Sequence, residues 1–538
     1  MRLVRRRRQP ATEGISIVEF LRSNLNPGKR GFDPTLKLPD EEPKVGELTW
    51  APGALDGLIG RGRLAHEVAR QDEEARPIYD ALRAYAARPS EGNRRDLAVA
   101  LASAKGTSAD SLVDLLSANP IPNRSIAHAG VRQIVETASR RDQLKLSLVL
   151  LAHVGDSTDN GLLVLLGQHG EFTLFSVMAI EAVNRDPTPV LVDLAGATRE
   201  WGRVAVIEGL LRHDSPVVRD YLLRHGFDDL GFLVGAEVAL KVATQCRPLD
   251  AIQAAGEDAE LIRGIGLVLY TLCMSPHGDL GDYGDARPAT IEFMRRFEPA
   301  ATSLVDYEVV LTIYKWLGLD RPGEGPSHLW PPADRELAAA LAEAILNKPE
   351  WRAKVLAALD DPQERARGEH LARRFDIPVR SRLIDWLRDD PLNSMWWYSL
   401  CADQTAEEMD ETLALAAELL DLDSIAIGPT ESLGIGPEAR RFNCVDFLLQ
   451  ALRGDPDEKS LEHKSGFPGK GESLLVASLR SPVTRNRNFA LRTLEVWPRD
   501  LITPRLYEAI KAAANDPSES VRQRAIDLAK GLPKPIVN

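Results

Sequence analysis

Five stretches of this 538-residue chain hold residues of types able to do chemistry. In HGDLGDYGDARP, Asp279, Asp282 and Asp285 stand three apart with glycines between them. Carboxylate-rich loops hold calcium, but an EF-hand alternates its acidic ligands and closes on a glutamate at its twelfth position. This loop does neither. It reads as an acidic connection between helices, with Asp285 where a helix dipole favours a carboxylate. In GFPGKGES, Gly466 to Ser473, Lys470 is followed by Gly471, where a phosphate loop needs Ser or Thr. GLIGRG, Gly57 to Gly62, fails on the same ground. His213 adjoins Asp214, and His225 lies near Asp228 and Asp229. Such pairs can serve acid–base catalysis, but at helix ends they are ordinary capping and dipole residues, which is the expectation here. The sequence shows no Ser–His–Asp set, no metal-spaced histidine pair and no paired-carboxylate motif. No catalytic residue, metal ligand or cofactor is therefore assigned.

The remaining candidates are aromatic. Six of the nine tryptophans fall between Trp316 and Trp397, and NSMWWYSLCAD, residues 393–403, sets Trp396, Trp397 and Tyr398 side by side. Successive helical residues point about 100° apart, so the three cannot share one face. The expectation is that Trp396 and Leu400 point inward. Trp397 and Tyr398 then belong to the core of a middle repeat, covered on more than one side. The other reading is an exposed aromatic patch, which marks a binding site. On that reading the partner-binding residues are Trp386, Trp396, Trp397 and Tyr398.

The elements that must position these residues are helices. Ala and Leu dominate, β-branched runs are rare and 6% of residues are aromatic, so an all-α protein is expected. Two sets of repeats stand out. RSPVTRNRNFALRTL, from Arg480, and NDPSESVRQRAIDLA, from Asn515, superpose Pro482 on Pro517, Arg487 on Arg522, Ala490 on Ala525 and Leu494 on Ala529. Ser481 and Asp516 are cap residues, the prolines suit a first helical turn, and each arginine can reach a neighbour's loop. DDPQERARGEHLARRF is an imperfect further copy, with His370 in place of the small residue. In the middle, Asp156, Asp186 and Asp214 mark helix starts at intervals of 30 and 28 residues, and CRPLDAIQAAG is a degraded fourth copy. Phe172, Phe175 and Ala179 show the spacing of one apolar helix face. A period near 30 with two helices per unit implies an α-solenoid.

The Asp-Pro start followed by Val-Arg and Ala, as in Asp516, Val521, Arg522, Ala525 and Ala529, resembles the second helix of a HEAT repeat. The resemblance implies an α-solenoid of HEAT-like helical hairpins, of armadillo type, and carries nothing on activity. Separately, GEFTLFSVMAIEAV, EWGRVAVIEGLL, VRDYLLRHG and GDLGDYGDARPATIEFM resemble bacterial helical-repeat proteins labelled limonene hydroxylase, over about residues 155–297. That label implies monooxygenase chemistry. The sequence has no Rossmann glycine fingerprint for a flavin and no cysteine setting for a haem thiolate.

Residues 1–53 read as a basic tail, a short helix and a Pro-rich extended segment. That segment is either a strap along the repeats anchored by Trp50 or a linker. Residues 54–320 read as a first repeat array, with 64–88 an exposed helix or helix pair. A linker at 321–332, a Trp-rich helical region at 333–453, a polar loop at 454–472 and C-terminal HEAT-like repeats at 473–538 follow. The net charge of −13 speaks against a general nucleic-acid binder. Four scattered cysteines without a CxxC pair fit a reducing compartment. No apolar run reaches the roughly 18 residues of a membrane span. The start MRLVRRRRQPATEG lacks the apolar segment of a signal peptide, and Arg5 to Arg8 read as a solvated tail. The function expected is a cytoplasmic bacterial scaffold that binds a protein partner. The alternative is an enzyme on the same scaffold, of the oxygenase, lyase or DNA glycosylase type.

Overall fold

The computed structural model describes residues 14–25, 31–33, 35–41, 51–54, 56, 68–228, 230–275, 279–318, 330–402, 404–435, 439–454 and 466–532. These residues are helical, apart from loops and one isolated parallel bridge between Ser432 and Val483. The fold class is all-α. The chain forms two compact units that divide between Lys354 and Val355.

The first unit contains α1 (Ile17–Ser23), α2 (Val68–Ala87), α3 (Glu91–Ser103), α4 (Ala109–Ala118), α5 (Arg124–Thr137), α6 (Arg141–Val154), α7 (Asn160–Gly167), α8 (Gly170–Val183), α9 (Thr188–Ala195), α10 (Glu200–Leu211), α11 (Pro216–His225), α12 (Phe232–Cys246), α13 (Pro248–Ala254), α14 (Ala259–Met274), α15 (Ala286–Phe297), α16 (Leu304–Trp316) and α17 (Pro332–Leu346). The chain's own starts and stops are chemical. Asp156 caps the turn before α7 by accepting from the Thr158 N–H, and Asp186 does the same for Thr188 at α9. At α11 the cap is Ser215, which accepts from Val218, while Asp214 pairs with Arg219 instead. Pro248 opens α13, as a ring with no N–H can do at no cost.

Packing follows an alternating rule. α6 lies on α8, α8 on α10, α10 on α12, α12 on α14 and α14 on α16. The intervening helices form a second row, in which α7 meets α9, α9 meets α11, α13 meets α15 and α15 meets α17. Many consecutive helices also touch, as α7 does α8 and α9 does α10, so apolar stripes are buried against both kinds of neighbour. Phe172, Phe175 and Ala179 are buried as their spacing requires. Helix α14 crosses α11 closely enough that a Cβ on Gly264 would sit 2.0 Å from the Leu223 carbonyl oxygen. Only glycine fits there. Residues 64–88 differ from expectation: α2 is one helix carrying Pro77, and its Ala75, Ile78, Tyr79, Leu82 and Ala86 are buried against α3, α4 and α5 rather than exposed.

Helix α18 (Glu350–Asp360) carries the division, and the second unit continues with α19 (Arg365–Ala372), α20 (Arg380–Asp389), α21 (Ser394–Leu400), α22 (Ala406–Leu419), α23 (Leu422–Ile425), α24 (Arg440–Asn443), α25 (Asp446–Arg453), α26 (Glu472–Leu479), α27 (Thr484–Val496), α28 (Pro504–Ala513) and α29 (Glu519–Lys530). Here α25, α27 and α29 stack in order, with α26 on α28 beside them. The two matched repeats superpose in their bonding as well as in residue type. Arg487 donates to the carbonyl of Ser481 at 2.7 Å, and Arg522 donates to the carbonyl of Asp516 at 2.6 Å, each six residues back. The prolines sit two residues before the helix rather than within it, and the cap residues close the turn by accepting from Val483 and Ser518. Arg487 also reaches the next repeat. It is fully buried, pairs with Asp516 at 2.7 Å (Nε–Oδ2) and 2.9 Å (Nη2–Oδ1), and donates to the Thr430 carbonyl.

Breaking a buried pair strands a charge that costs about 3–5 kcal/mol. Asp516→Ala is therefore expected to lower the stability of the C-terminal unit by about that amount, read from urea unfolding of the full chain. A loss below about 1 kcal/mol contradicts the role given to this pair.

Candidate functional site

The aromatic set divides. Trp386 on α20 and Trp396 on α21 meet with ring centroids 4.9 Å apart, and the Arg365 guanidinium lies 5.5 and 5.6 Å from the two rings. Both tryptophans are buried. Trp397 is 0% exposed and points its indole N–H at the Pro391 carbonyl, 2.8 Å away. Tyr398 is not core. It is 53% exposed and meets Phe447 edge-on at 4.9 Å, with Met395 one turn earlier 55% exposed on the same side. The reason is coverage. Helix α21 packs on α20 and α25, and this seven-residue helix keeps one side uncovered.

The other sequence candidates have structural duties. Asp279 and Asp282 form a reciprocal capping box around a short turn, and Asp285 is the residue before α15. Lys470 pairs with Asp410 and donates to the Ala406 carbonyl. His213 lies against Glu181 rather than Asp214, at 3.2 Å, and Glu181 also takes both ends of Arg212. His225 does meet Asp228, at 3.1 Å, at the end of α11. His128 contacts Asp159 at 2.8 Å, a pair the sequence did not suggest, and Asp159 also accepts from Arg132 and the Asp156 N–H. Residues 57–62, Trp50, Asp229, Arg5 to Arg8 and the stretch 321–329 lie outside the described residues. Among the described residues, no three His, Cys, Asp or Glu side chains are grouped to hold a metal ion, and no helix is long and apolar enough to cross a membrane.

Two features were not read from the sequence. The first is a groove of about 900 Å³ on α10 and α12. Leu211, Ala236 and Leu240 give it apolar walls, and Glu208, Arg212, Glu237, Lys241, Thr244 and Gln245 give it polar ones. Ion pairs tie its helices together: Glu181 on α8 with Arg212, the residue that ends α10, at 2.6 Å, and Glu208 on α10 with Lys241 on α12 at 2.9 Å. The partners are 31 and 33 residues apart. The signal was present, since the aspartate period near 30 brings equivalent positions of alternate helices side by side.

The second is a buried charge cluster. Lys145 on α6 is held by Asp56 and Glu171, both at 2.7 Å, and lies over the Phe175 ring. Burial opposes the ammonium charge, but the two carboxylates overcome it and hold the Lys145 pKa above its ordinary value. Burial raises the Asp56 carboxyl, with Lys145 offsetting part of the effect. Nearby His169 is buried between Phe32 and Phe172, and burial lowers its pKa. Its Nδ1 accepts from the Glu171 N–H at the start of α8. The sequence signal was a lysine inside the run LKLSLVLL, apolar but for it and Ser147.

No family model matches the chain, and no curated protein or solved structure matches it. The resemblances to HEAT repeats and to limonene-hydroxylase-labelled proteins therefore stand on the quoted residues alone.

Two outcomes follow from these placements. Trp397→Ala is expected to cost about 3–5 kcal/mol, and Tyr398→Ala about 1 kcal/mol or less, by thermal and urea unfolding of the full chain. Equal losses contradict the division. In the second unit, burial pushes the Asp446 carboxyl up to about 6, against the opposing pull of Arg485. The folded chain therefore holds this proton more tightly than the unfolded one. Its stabilising contribution is complete below about pH 4 and is lost as pH rises through about 6. Asp446→Asn is expected to flatten the stability–pH curve between those values; an unchanged slope rules Asp446 out as its source.

Proposed function

We propose that this protein is a cytoplasmic interaction scaffold. It is an α-solenoid of HEAT-like helical hairpins that holds a segment of a protein partner and does no chemistry of its own. The observation that carries the reading is the groove on α10 and α12, with apolar walls and paired charges along it. Stacked hairpins present one helix of each pair side by side on a common face, which suits an extended contact with a peptide segment. The alternating packing of α6 to α16 supports the stacking. Leu211 and Leu240 offer the apolar contact that supplies affinity, and the Glu208–Lys241 pair supplies polar rim contacts that set register. All four cysteines are free, which agrees with a reducing compartment.

Of the aromatic set, Tyr398 with Met395 is the part a partner can touch without unfolding the chain. It stands as a second contact surface, and Trp386, Trp396 and Trp397 support it from below as core.

A photo-crosslinking side chain at Leu240 tests the groove, with one at the exposed Val99 as control. The expected result is a discrete covalent adduct with one cellular protein at Leu240, absent at Val99 and weakened at least tenfold by Lys241→Glu. No adduct at Leu240, or the same adducts at both positions, removes the groove as the contact site.

A further inference from the structure

Glu181 on α8, Glu208 on α10 and Glu237 on α12 stand at intervals of 27 and 29 residues, and each is followed four residues later by a cation: Arg185, Arg212 and Lys241. Because α8 packs on α10 and α10 on α12, the three cations form a stripe across successive helices. Two of them turn to the glutamate of the helix before. Arg212 donates from Nε and Nη2 to Glu181 at 2.8 and 2.6 Å, and Lys241 pairs with Glu208 at 2.9 Å. Helix α6 carries one acidic residue, Asp142, in its first turn, so Arg185 has no such glutamate and no carboxylate partner among the described residues. The acids are recessed and the cations stand out: Glu181 and Glu208 keep 19% and 23% of their side chains exposed, Arg212 and Lys241 55% and 56%. Arg185 is exposed as well. The aspartates that follow are engaged elsewhere, Asp186 with the Thr188 N–H and Asp214 with Arg219. The surface offered to a partner is therefore cationic, on a chain whose net charge is −13.

A guanidinium has five donors and an ammonium three. Arg212 uses two on Glu181 and Lys241 one on Glu208, so both keep donors for a second carboxylate. Packed helices run about 8–10 Å apart, which sets the repeat of the stripe. A chain in the polyproline II conformation rises about 3.1 Å per residue with three residues per turn, so every third side chain points the same way about 9 Å further on. That step matches the stripe. An α-helix needs seven residues for a similar step of about 10.5 Å, a spacing the test below separates from the first.

We propose, on the reading of the α10–α12 groove as a partner's contact site, that the partner segment is acidic and extended in the polyproline II conformation, crossing α8, α10 and α12 with a carboxylate at every third residue on Arg185, Arg212 and Lys241. The next edge of such a segment reaches Leu211 and Leu240, which precede two of the cations on the groove wall and supply the apolar contact. Glu181 and Glu208 hold Arg212 and Lys241 in place and repel a basic segment.

The test titrates the full chain with fluorescein-labelled synthetic peptides, read by fluorescence anisotropy at one ionic strength. The probe is Glu-Pro-Leu repeated three times. Its controls are Lys-Pro-Leu repeated three times, a peptide of the probe's composition with its glutamates adjacent, and an alanine-rich helical peptide with glutamate at every seventh position. The expected result is that the probe binds at least tenfold more tightly than each control. Arg212→Glu with Lys241→Glu is expected to reverse the order of the Glu and Lys peptides. Arg185→Glu, which breaks no ion pair, is expected to weaken the probe at least threefold with Tm unchanged; if the double variant loses its helical circular dichroism, this single variant decides. No saturable binding of the probe, equal binding of the probe and any control, no reversal in a folded double variant, or probe affinity unaltered by Arg185→Glu overturns the acidic, extended partner. Each of these outcomes leaves the Leu240 crosslinking result standing, and that result by itself decides whether the groove is a contact site.

Discussion

The controlling constraint in the first unit is that most helices from α6 to α16 bury their apolar stripe against the helix two places along the chain, and α11 against α14, three places along, rather than only against an immediate neighbour. The constraint is felt at individual atoms. The contact between α11 and α14 leaves no room for a methyl group at Gly264. The buried side of α6, Leu144 to Leu151, is apolar but for Lys145 and Ser147, and each of these has a partner.

Stacking creates an electrostatic problem, because the ends of successive helices crowd together with carbonyl groups facing inward. Arginines solve it repeatedly. Arg124 donates to the carbonyls of Val154 and Gly155, Arg203 to those of Thr198 and His225, and Arg263 to that of Ala300. In the second unit Arg487 satisfies two carbonyls and a carboxylate at once. A guanidinium has five donors in a fixed fork and is weakly hydrated for a cation, so it suits these buried joints better than lysine does. Lys145, the buried lysine, needs two carboxylates to hold its charge.

The inner helices then have charges left over for surfaces. Glu181, Arg212, Glu208 and Lys241 join alternate helices across their solvent side, where partially exposed pairs contribute little stability. Their consequence is a groove whose polar walls are matched in charge and held in place, which favours selective over indiscriminate contact.

What the sequence by itself determined is periodic and local. The all-helical class, the caps at Asp156, Asp186 and Ser481, the apolar face of α8 and the equivalence of Arg487 with Arg522 follow from spacing and from the chemistry of helix ends. Both act over a few residues. Tertiary structure decided which of those residues meet. Trp396 and Trp397 are neighbours in the chain, yet one stacks on Trp386 and the other hides beneath Pro391, while Tyr398 is left in water because nothing covers the third side of α21. Asp56, Lys145 and Glu171 converge from positions up to 115 residues apart, and Glu208 finds Lys241 one repeat on. Helical periodicity fixes the direction of a side chain around its own axis. Only the crossing of helices, set by side-chain volume at each contact, fixes what lies at the other end.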